Sequence, residues 1–127
     1  MNKDQNYKKE LLTSWEDTYK KGQLTFWLLL GLRDNPLFVS EIKDFIESAT
    51  NNTISCEEQS IYRALRKFYD LEIVDYELRR GHKGPDRKYY FLTAIGKDLL
   101  HDFINRNISI LYSKKLSDLI NNKHIAS

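Results

Sequence analysis

The sequence predicts a mainly α-helical domain that carries one small β-hairpin, and two observations support this fold class. Apolar side chains recur at helical spacing through most of the 127 residues, and the period changes to two in one short stretch. A second β-prone run follows that stretch across a turn containing Gly81, Gly84 and Pro85. With 30% charged and 41% hydrophobic residues, a chain of this length is expected to form one globular domain.

The first element is an amphipathic helix predicted over residues 6–20. Its apolar side chains recur every four residues between charged ones: Tyr7, Leu11, Trp15 and Tyr19. Residues 23–33 are apolar on nearly every side, which indicates a buried helix. Pro36 ends this second helix, because a proline disfavours helical geometry in the residue before it.

Two further helices are expected before the hairpin. One covers about residues 41–49, with Ser40 as its N-cap. The other covers about residues 56–70 and begins with a capping-box pattern, in which Ser55 and Glu58 would satisfy free amides at the helix start. The sequence therefore predicts three compact helices between residue 23 and the hairpin.

The hairpin is followed by a long C-terminal helix. The first strand alternates apolar and charged side chains, with the apolar ones at Val74, Tyr76 and Leu78. Residues 88–92 supply the second strand, and Thr93 is expected to cap the helix after it. Asn105 and Asn107 are weak helix formers and predict a bend in that helix.

This order of elements is typical of a winged helix-turn-helix with an additional helix at each end. Residues 1–22 would form an N-terminal helix that extends a dimer interface, residues 23–93 the winged-helix domain, and residues 94–127 a C-terminal dimerisation helix with a frayed tail. A second copy of the chain is the economical partner for the outer apolar stripes. The residues predicted at the dimer interface are Leu11, Trp15, Leu100, Phe103, Ile104 and Leu111.

Several functional classes are disfavoured by the sequence. Cys56 is the single cysteine, so no internal disulfide forms, and Glu57 and Glu58 oppose a reactive thiolate there. The three histidines lack ligand spacing, so neither a metal nor another cofactor is expected: His82, His101 and His124. No residues resemble a catalytic constellation. With a polar N-terminus and no apolar run long enough for a membrane span, the expectation is a cytoplasmic protein that is not an enzyme.

The net charge of +2 conceals a local excess of positive charge. Residues 60–88 hold eight basic and five acidic side chains, and residues 79–88 hold five basic side chains against Asp86 alone. Such clustering suits phosphate binding, although a charged hairpin edge also discourages aggregation. On the helix at 56–70, Gln59 would suit adenine and Arg63 guanine.

Three segments resemble the PadR family of bacterial transcriptional regulators. They are residues 60–67 (Ser-Ile-Tyr-Arg-Ala-Leu-Arg-Lys), residues 73–74 (Ile-Val), and residues 84–96 (Gly-Pro-Asp-Arg-Lys-Tyr-Tyr-Phe-Leu-Thr-Ala-Ile-Gly), the last being the most specific. The resemblance covers about residues 24–104. It implies a dimeric winged-helix repressor that binds double-stranded operator DNA. The residues expected at the DNA are Gln59, Ser60, Tyr62, Arg63, Arg66, Lys67, Arg80, Lys83, Arg87 and Lys88.

The chain departs from the family pattern at three places. Residues 39–42 read Val-Ser-Glu-Ile where the family usually has Gly-Tyr-Glu-Ile. Arg63 replaces a common proline, and Glu72 replaces a usual glycine before the first strand. If position 72 needs a positive φ, glutamate there costs about 1 kcal/mol. Base specificity is therefore the property that these changes affect most.

Two other functions are compatible with the sequence. The same scaffold could serve as a protein-interaction adaptor that docks a protein through the acidic Glu57–Glu58 helix start and the basic wing. Alternatively, Trp15 and Trp27 could line a pocket for a small aromatic effector, although simple packing is the favoured interpretation of both indoles.

Overall fold

The computed structural model describes residues 2–122 and contains the predicted helices and hairpin. The elements are α1 (Lys3–Lys20), α2 (Gln23–Gly31), α3 (Val39–Ala49), α4 (Glu58–Asp70), β1 (Val74–Arg79), β2 (Arg87–Leu92), α5 (Ala94–Phe103) and α6 (Lys114–Asn121). The predicted mainly helical fold with a small β wing is confirmed. Most of the tail predicted to fray, residues 123–127, lies outside the described residues.

The core lies between α2, α3, α4 and the base of the hairpin. Its fully buried side chains come from all four of these elements: Leu28, Leu32, Ile42, Ile46, Ile61, Leu65 and Val74. α3 packs against both α2 and α4. This arrangement turns the charged face of α4 outward, because Ile61 and Leu65 occupy its inner face.

The hairpin is antiparallel, and a third segment holds its base to the helices. Val74 pairs with Leu92 and Tyr76 pairs with Tyr90. The backbone N–H of Leu37 donates to the Tyr90 carbonyl at 3.0 Å, and the Tyr90 N–H donates back at 2.8 Å. The sequence did not predict this bridge, which anchors the wing to the segment before α3.

The apolar alternation of the first strand does not extend along its whole length. Val74 is buried and Tyr76 is half-buried, but Leu78 is 60% exposed. The alternation is therefore reflected in burial only as far as Tyr76. The hairpin projects beyond the core, so its outer half has no packed surface to cover.

The predicted N-cap of α3 is wrong by two residues. The helix begins at Val39, so Ser40 lies inside its first turn, and Phe38 is the N-cap. The Phe38 backbone N–H donates to the Glu41 carboxylate at 3.2 Å. A glutamate in the first turn thus satisfies the helix start, since its negative charge and acceptor oxygens suit the N-terminal amides.

The predicted capping box at α4 is also absent. The helix begins at Glu58 with Glu57 as N-cap, and no side chain caps it. The Ser55 hydroxyl donates instead to the Glu47 carboxylate at 3.3 Å. Because α4 begins two residues later than predicted, Ser55 is too far from the first turn, and Glu58 is left exposed.

Thr93 caps α5 as predicted and also ties that helix to the start of β1. Its hydroxyl accepts from the Gly96 N–H at 3.0 Å and donates to the Glu72 carbonyl at 2.7 Å. The Thr93 N–H donates to the Ile73 carbonyl at 3.1 Å. One threonine thereby joins the start of α5 to the segment that begins β1.

The single long helix predicted after Thr93 is interrupted. A π-helical turn (Ile104–Ile108) and a 3₁₀ turn (Ser109–Tyr112) separate α5 from α6. Asn107 lies in the π turn, where its side-chain amide donates to the Phe103 carbonyl at 3.3 Å and competes with regular helix bonding. Ser113 has extended geometry and caps α6 by accepting from the Leu116 N–H at 3.1 Å.

Glu72, which stands where the PadR family usually has glycine, adopts the left-handed conformation. Its φ is +62°, and it follows α4 in a Schellman arrangement. The Ile73 N–H donates to the Phe68 carbonyl at 2.9 Å, and the Glu72 N–H donates to the Tyr69 carbonyl at 3.0 Å. Glycine adopts this geometry without the steric penalty of a Cβ atom.

Replacing Glu72 with glycine is therefore expected to raise the free energy of unfolding by about 1 kcal/mol. Urea denaturation followed by far-UV circular dichroism measures this gain. Lys67→Gly is the matched control, because Lys67 is exposed and helical within α4. That control should lose about 0.5–1 kcal/mol. A loss in Glu72→Gly as well would contradict the strain at this position.

Candidate nucleic-acid interface

The exposed face of α4 carries most of the side chains that were predicted to contact DNA. Ser60 is half-buried, and the other predicted residues of this helix are exposed: Gln59, Tyr62, Arg63, Arg66 and Lys67. Ile61 and Leu65 hold the opposite face in the core, with no exposed area. The helix thus presents a continuous polar and basic surface on a rigid support.

The wing carries the remaining predicted cations. Arg80 and Lys83 are exposed in the connection between the strands, and Arg87 and Lys88 begin β2. Gly81 is required by this connection, because a Cβ atom there would lie 2.3 Å from the Pro85 carbonyl oxygen. The turn is therefore compact, and only glycine fits at its first bend.

Aromatic rings hold two of these cations in place. The Arg87 guanidinium lies 4.5 Å from the ring centre of Phe38, and the Lys88 ammonium lies 4.6 Å from that of Tyr76. A cation over a ring is stabilised by about 0.5–1 kcal/mol at exposed sites. The two charges at the base of the wing are thus partly ordered before any partner arrives.

A cleft of about 750 Å³ lies between α4, the wing and the start of α3. Its aromatic lining is Phe38, Tyr62, Tyr69, Tyr76 and Tyr90, and its charged lining is Glu58, Arg66, Asp86, Arg87 and Lys88. We name this feature the α4–wing cleft. It joins residues of α4 to residues of the wing in one surface.

Sequence reasoning missed part of this lining. Phe38, Tyr69, Tyr76 and Tyr90 were not predicted as site residues. The available signal was the strand register, because Tyr76 and Tyr90 face each other when the hairpin is built on its turn. The contribution of Phe38 depends on the bridge between Leu37 and Tyr90, which is a tertiary contact.

Tyr90 forms a buried part of the cleft and is 7% exposed. Burial raises the pKa of its phenol, the neighbouring Tyr62 and Tyr76 hydroxyls add to the rise, and Arg66 opposes it. The phenol therefore stays protonated near neutral pH, and it offers a neutral hydroxyl to the cleft.

Cys56 lies half-buried just before α4. Burial raises the pKa of its thiol, while Lys43 opposes the rise and Glu47 adds to it. The protonated thiol is therefore favoured, and the causes are burial and Glu47 rather than the Glu57 and Glu58 carboxylates that the sequence suggested.

The apolar residues predicted for the dimer interface fall into two groups. Four of them are exposed: Leu11, Trp15, Phe103 and Leu111. Ile104 is half-buried against the core. Leu100 is 3% exposed and belongs to the core of its own chain, so its prediction as an interface residue is corrected. Leu100 and Ile104 thus pack on the winged-helix domain of their own chain.

The two tryptophans lie in different surroundings. Trp15 is 71% exposed beside a groove of about 550 Å³, and every residue that lines this groove belongs to α1. Trp27 is half-buried against the core, with its ring centre 5.5 Å from that of Phe26 in an edge-to-face contact. The α1 groove therefore does not contain both indoles.

Two negative findings hold for residues 2–122. No group of three His, Cys, Asp or Glu side chains in that range is placed to hold a metal ion. None of the helices described there is long and apolar enough to span a bilayer.

Comparison with known proteins identifies the family. The profile of the transcriptional regulator PadR-like family matches residues 28–102, which is more than half of the chain. The chain belongs to the PadR-like family of transcriptional regulators. The matched residues include all of α3, α4 and the wing and nearly all of α5, so the PadR-like assignment covers the whole candidate interface.

Solved PadR-like structures share this fold. A PadR-like transcription factor from Bacteroides fragilis is 25% identical, with 86% of this chain and 97% of that chain covered, at a TM-score of 0.60. Bacillus subtilis PadR, solved in complex with operator DNA, is 26% identical to this chain. The match covers 64% of this chain and 46% of that chain, at a TM-score of 0.59. A PadR family regulator from Eggerthella lenta is 20% identical, with 91% of this chain and 96% of that chain covered, at a TM-score of 0.68. At this identity the likeness shows the fold alone.

Proposed function

We propose that the protein is a sequence-specific DNA-binding repressor that acts as a homodimer on operator DNA in the cytoplasm. The observation that carries this proposal is the joining of α4 and the wing in one surface with basic and polar side chains. The B. subtilis PadR solved with operator DNA supports the same kind of partner.

The helix and the wing have different roles in this proposal. α4 would enter the major groove, where Gln59 suits adenine and Arg63 suits guanine. The wing would lie against the adjacent backbone, where Lys83, Arg87 and Lys88 neutralise phosphates. Each neutralised phosphate releases counterions, so these contacts supply affinity that does not depend on sequence.

Exposed apolar side chains in α1 and in the C-terminal segment of the described residues support the proposed homodimer. α1 contributes Leu11 and Trp15, and the C-terminal segment contributes Phe103 and Leu111. Exposed apolar side chains that recur along one face usually mark an interaction site. A twofold partner would present two copies of α4, which predicts a palindromic operator.

Replacing Lys83 or Arg87 with alanine is expected to weaken binding by similar factors on all DNA sequences. Each variant should lower the slope of log affinity against log salt by about one, because about one phosphate contact is lost. Fluorescence anisotropy at four or more salt concentrations measures the slope. Arg33→Ala is the matched control, since Arg33 lies outside α4 and the wing and pairs with Asp34 at 3.3 Å. Binding that does not vary with salt would contradict the proposal.

The decisive experiment is selection of bound DNA from a random pool at physiological salt. Enrichment of a palindrome would establish dimeric, sequence-specific binding and would give the half-site spacing. Enrichment of no sequence would contradict a specific operator.

The acidic start of α4 favours a second candidate function, a protein-interaction adaptor. Glu57 and Glu58 are exposed, and the capping box predicted for Glu58 does not form. Carboxylates at this position repel phosphates, whereas a basic protein surface would attract them. Stoichiometric recovery of one protein partner, together with no DNA shift at low salt, would select the adaptor.

A further inference from the structure

The α4–wing cleft is lined by charged side chains of both signs, and two of its cations also lie over aromatic rings. Its three cations are Arg66, Arg87 and Lys88, and its two carboxylates are Glu58 and Asp86. Within residues 2–122, every ion pair shorter than 4.0 Å involves other residues. Both signs of charge are therefore available to a partner inside one cavity.

The same cleft has an aromatic wall in which the rings of Tyr62 and Tyr69 are exposed, whereas Tyr90 is buried and Lys88 lies over Tyr76. The ring centres of Tyr69 and Tyr76 are 5.4 Å apart, and those of Tyr76 and Tyr90 are 5.6 Å apart. Tyr62 and Tyr69 are 48% and 45% exposed, so their rings are only partly covered by protein. A flat ring system can stack on such surfaces, because aromatic faces are apolar and polarisable.

These groups together describe the chemistry of one ligand class. The cations require an anionic group, the rings require a flat heterocycle, and the carboxylates require N–H donors. An unpaired nucleotide supplies all three, through its phosphate, its base and the exocyclic amine of adenine, guanine or cytosine. The cleft volume of about 750 Å³ is within the usual range for small-molecule sites.

A paired DNA duplex meets only part of this requirement. Its phosphates can reach the cations, but its bases remain stacked and paired inside the helix. The tyrosine rings would then have no base to stack on. The aromatic wall therefore favours a nucleotide that is free or in a single strand.

We propose that the α4–wing cleft binds an unpaired nucleotide, with its base against the exposed rings of Tyr62 and Tyr69 and its phosphate on the three cations. A free nucleotide in this position excludes duplex DNA, because Tyr62, Arg66, Arg87 and Lys88 belong to both sites. This second statement rests on the proposed DNA-binding function, whereas the nucleotide site itself does not.

The test uses AMP as the probe and the full chain without DNA. Titration by calorimetry and by ¹H–¹⁵N NMR is expected to show AMP binding, with shifts centred on Tyr69, Tyr76 and Lys88. Adenosine and inorganic phosphate should each bind at least tenfold more weakly than AMP. Tyr69→Leu and Arg66→Gln should each weaken AMP at least fivefold, while Arg33→Gln leaves it unchanged. Thermal melting confirms that each variant is folded.

Four outcomes decide the proposal. AMP that binds no tighter than phosphate, or that shifts the α1 residues around Trp15 instead, would overturn the nucleotide site. Binding of a single-stranded adenine oligonucleotide without AMP binding would overturn the free nucleotide as the ligand. AMP that binds in the cleft without displacing duplex DNA would overturn the exclusion. If the wild-type chain binds AMP but no duplex DNA, the result would contradict the proposed repressor function and would leave the nucleotide site standing.

Discussion

Arg63→Ala is expected to weaken operator binding about 30-fold or more and to relax the preference at one base pair of each half-site. Arg63 is exposed on the outer face of α4, above a fully buried helix face. A bidentate arginine–guanine pair discriminates by about 1–3 kcal/mol, and a symmetric dimer makes it twice. The summed loss of about 2–6 kcal/mol makes this the largest binding effect expected of a single substitution.

The measurement is repetition of the random-pool selection with the variant, followed by anisotropy on the selected operator. The wild-type protein should enrich a guanine that the variant no longer selects. Arg33→Ala is again the matched control and should keep both affinity and preference. An Arg63→Ala protein that selects the same operator with the same affinity would contradict base reading by this residue.

Gly96→Ala is expected to destabilise the fold by about 3 kcal/mol, the upper part of the usual range for overpacking. Gly96 lies in the first turn of α5, and a Cβ atom there would lie 2.1 Å from the backbone carbonyl oxygen of Ile73. The neighbour is backbone and is held by its hydrogen bond from Thr93, so it cannot rotate away. The variant must therefore separate α5 from the start of β1.

This prediction reverses the sign that helix propensity implies. In an isolated helix, alanine in place of glycine stabilises by about 1 kcal/mol. Gly84→Ala is the matched control, because nothing lies within 4 Å of the position that its Cβ atom would occupy. Urea denaturation should show a large loss for position 96 and almost none for position 84. Equal stability of the two variants would show that α5 shifts without cost.

The helix starts show why some local features were predictable and others were not. Thr93 caps α5 as predicted, because the required acceptor and the amide of Gly96 are three residues apart and need no distant partner. Ser55 matched a capping pattern equally well, yet its hydroxyl bonds to Glu47 across the loop between α3 and α4. In the folded chain α4 begins only at Glu58, two residues later than predicted, so a matching local pattern led to a wrong prediction.

The candidate site divides in the same way. The basic and polar residues of α4 and the wing could be predicted, because charge clustering and helical period are properties of the sequence. The addition of Phe38 to the same cleft could not be predicted, since Phe38 is distant in sequence from both α4 and the wing. Leu100 was misassigned for a related reason, because an apolar helix residue suits either a core or an interface.

The sequence by itself determined the order of the elements and the presence of the hairpin. These features depend on side-chain period, turn composition and contacts within about five residues. Only the tertiary structure decided which apolar residues are core, where α4 begins, and that Gly96 must lack a side chain. Those outcomes depend on the distances between segments that are far apart in the chain, such as Gly96 and Ile73, and local composition does not encode those distances.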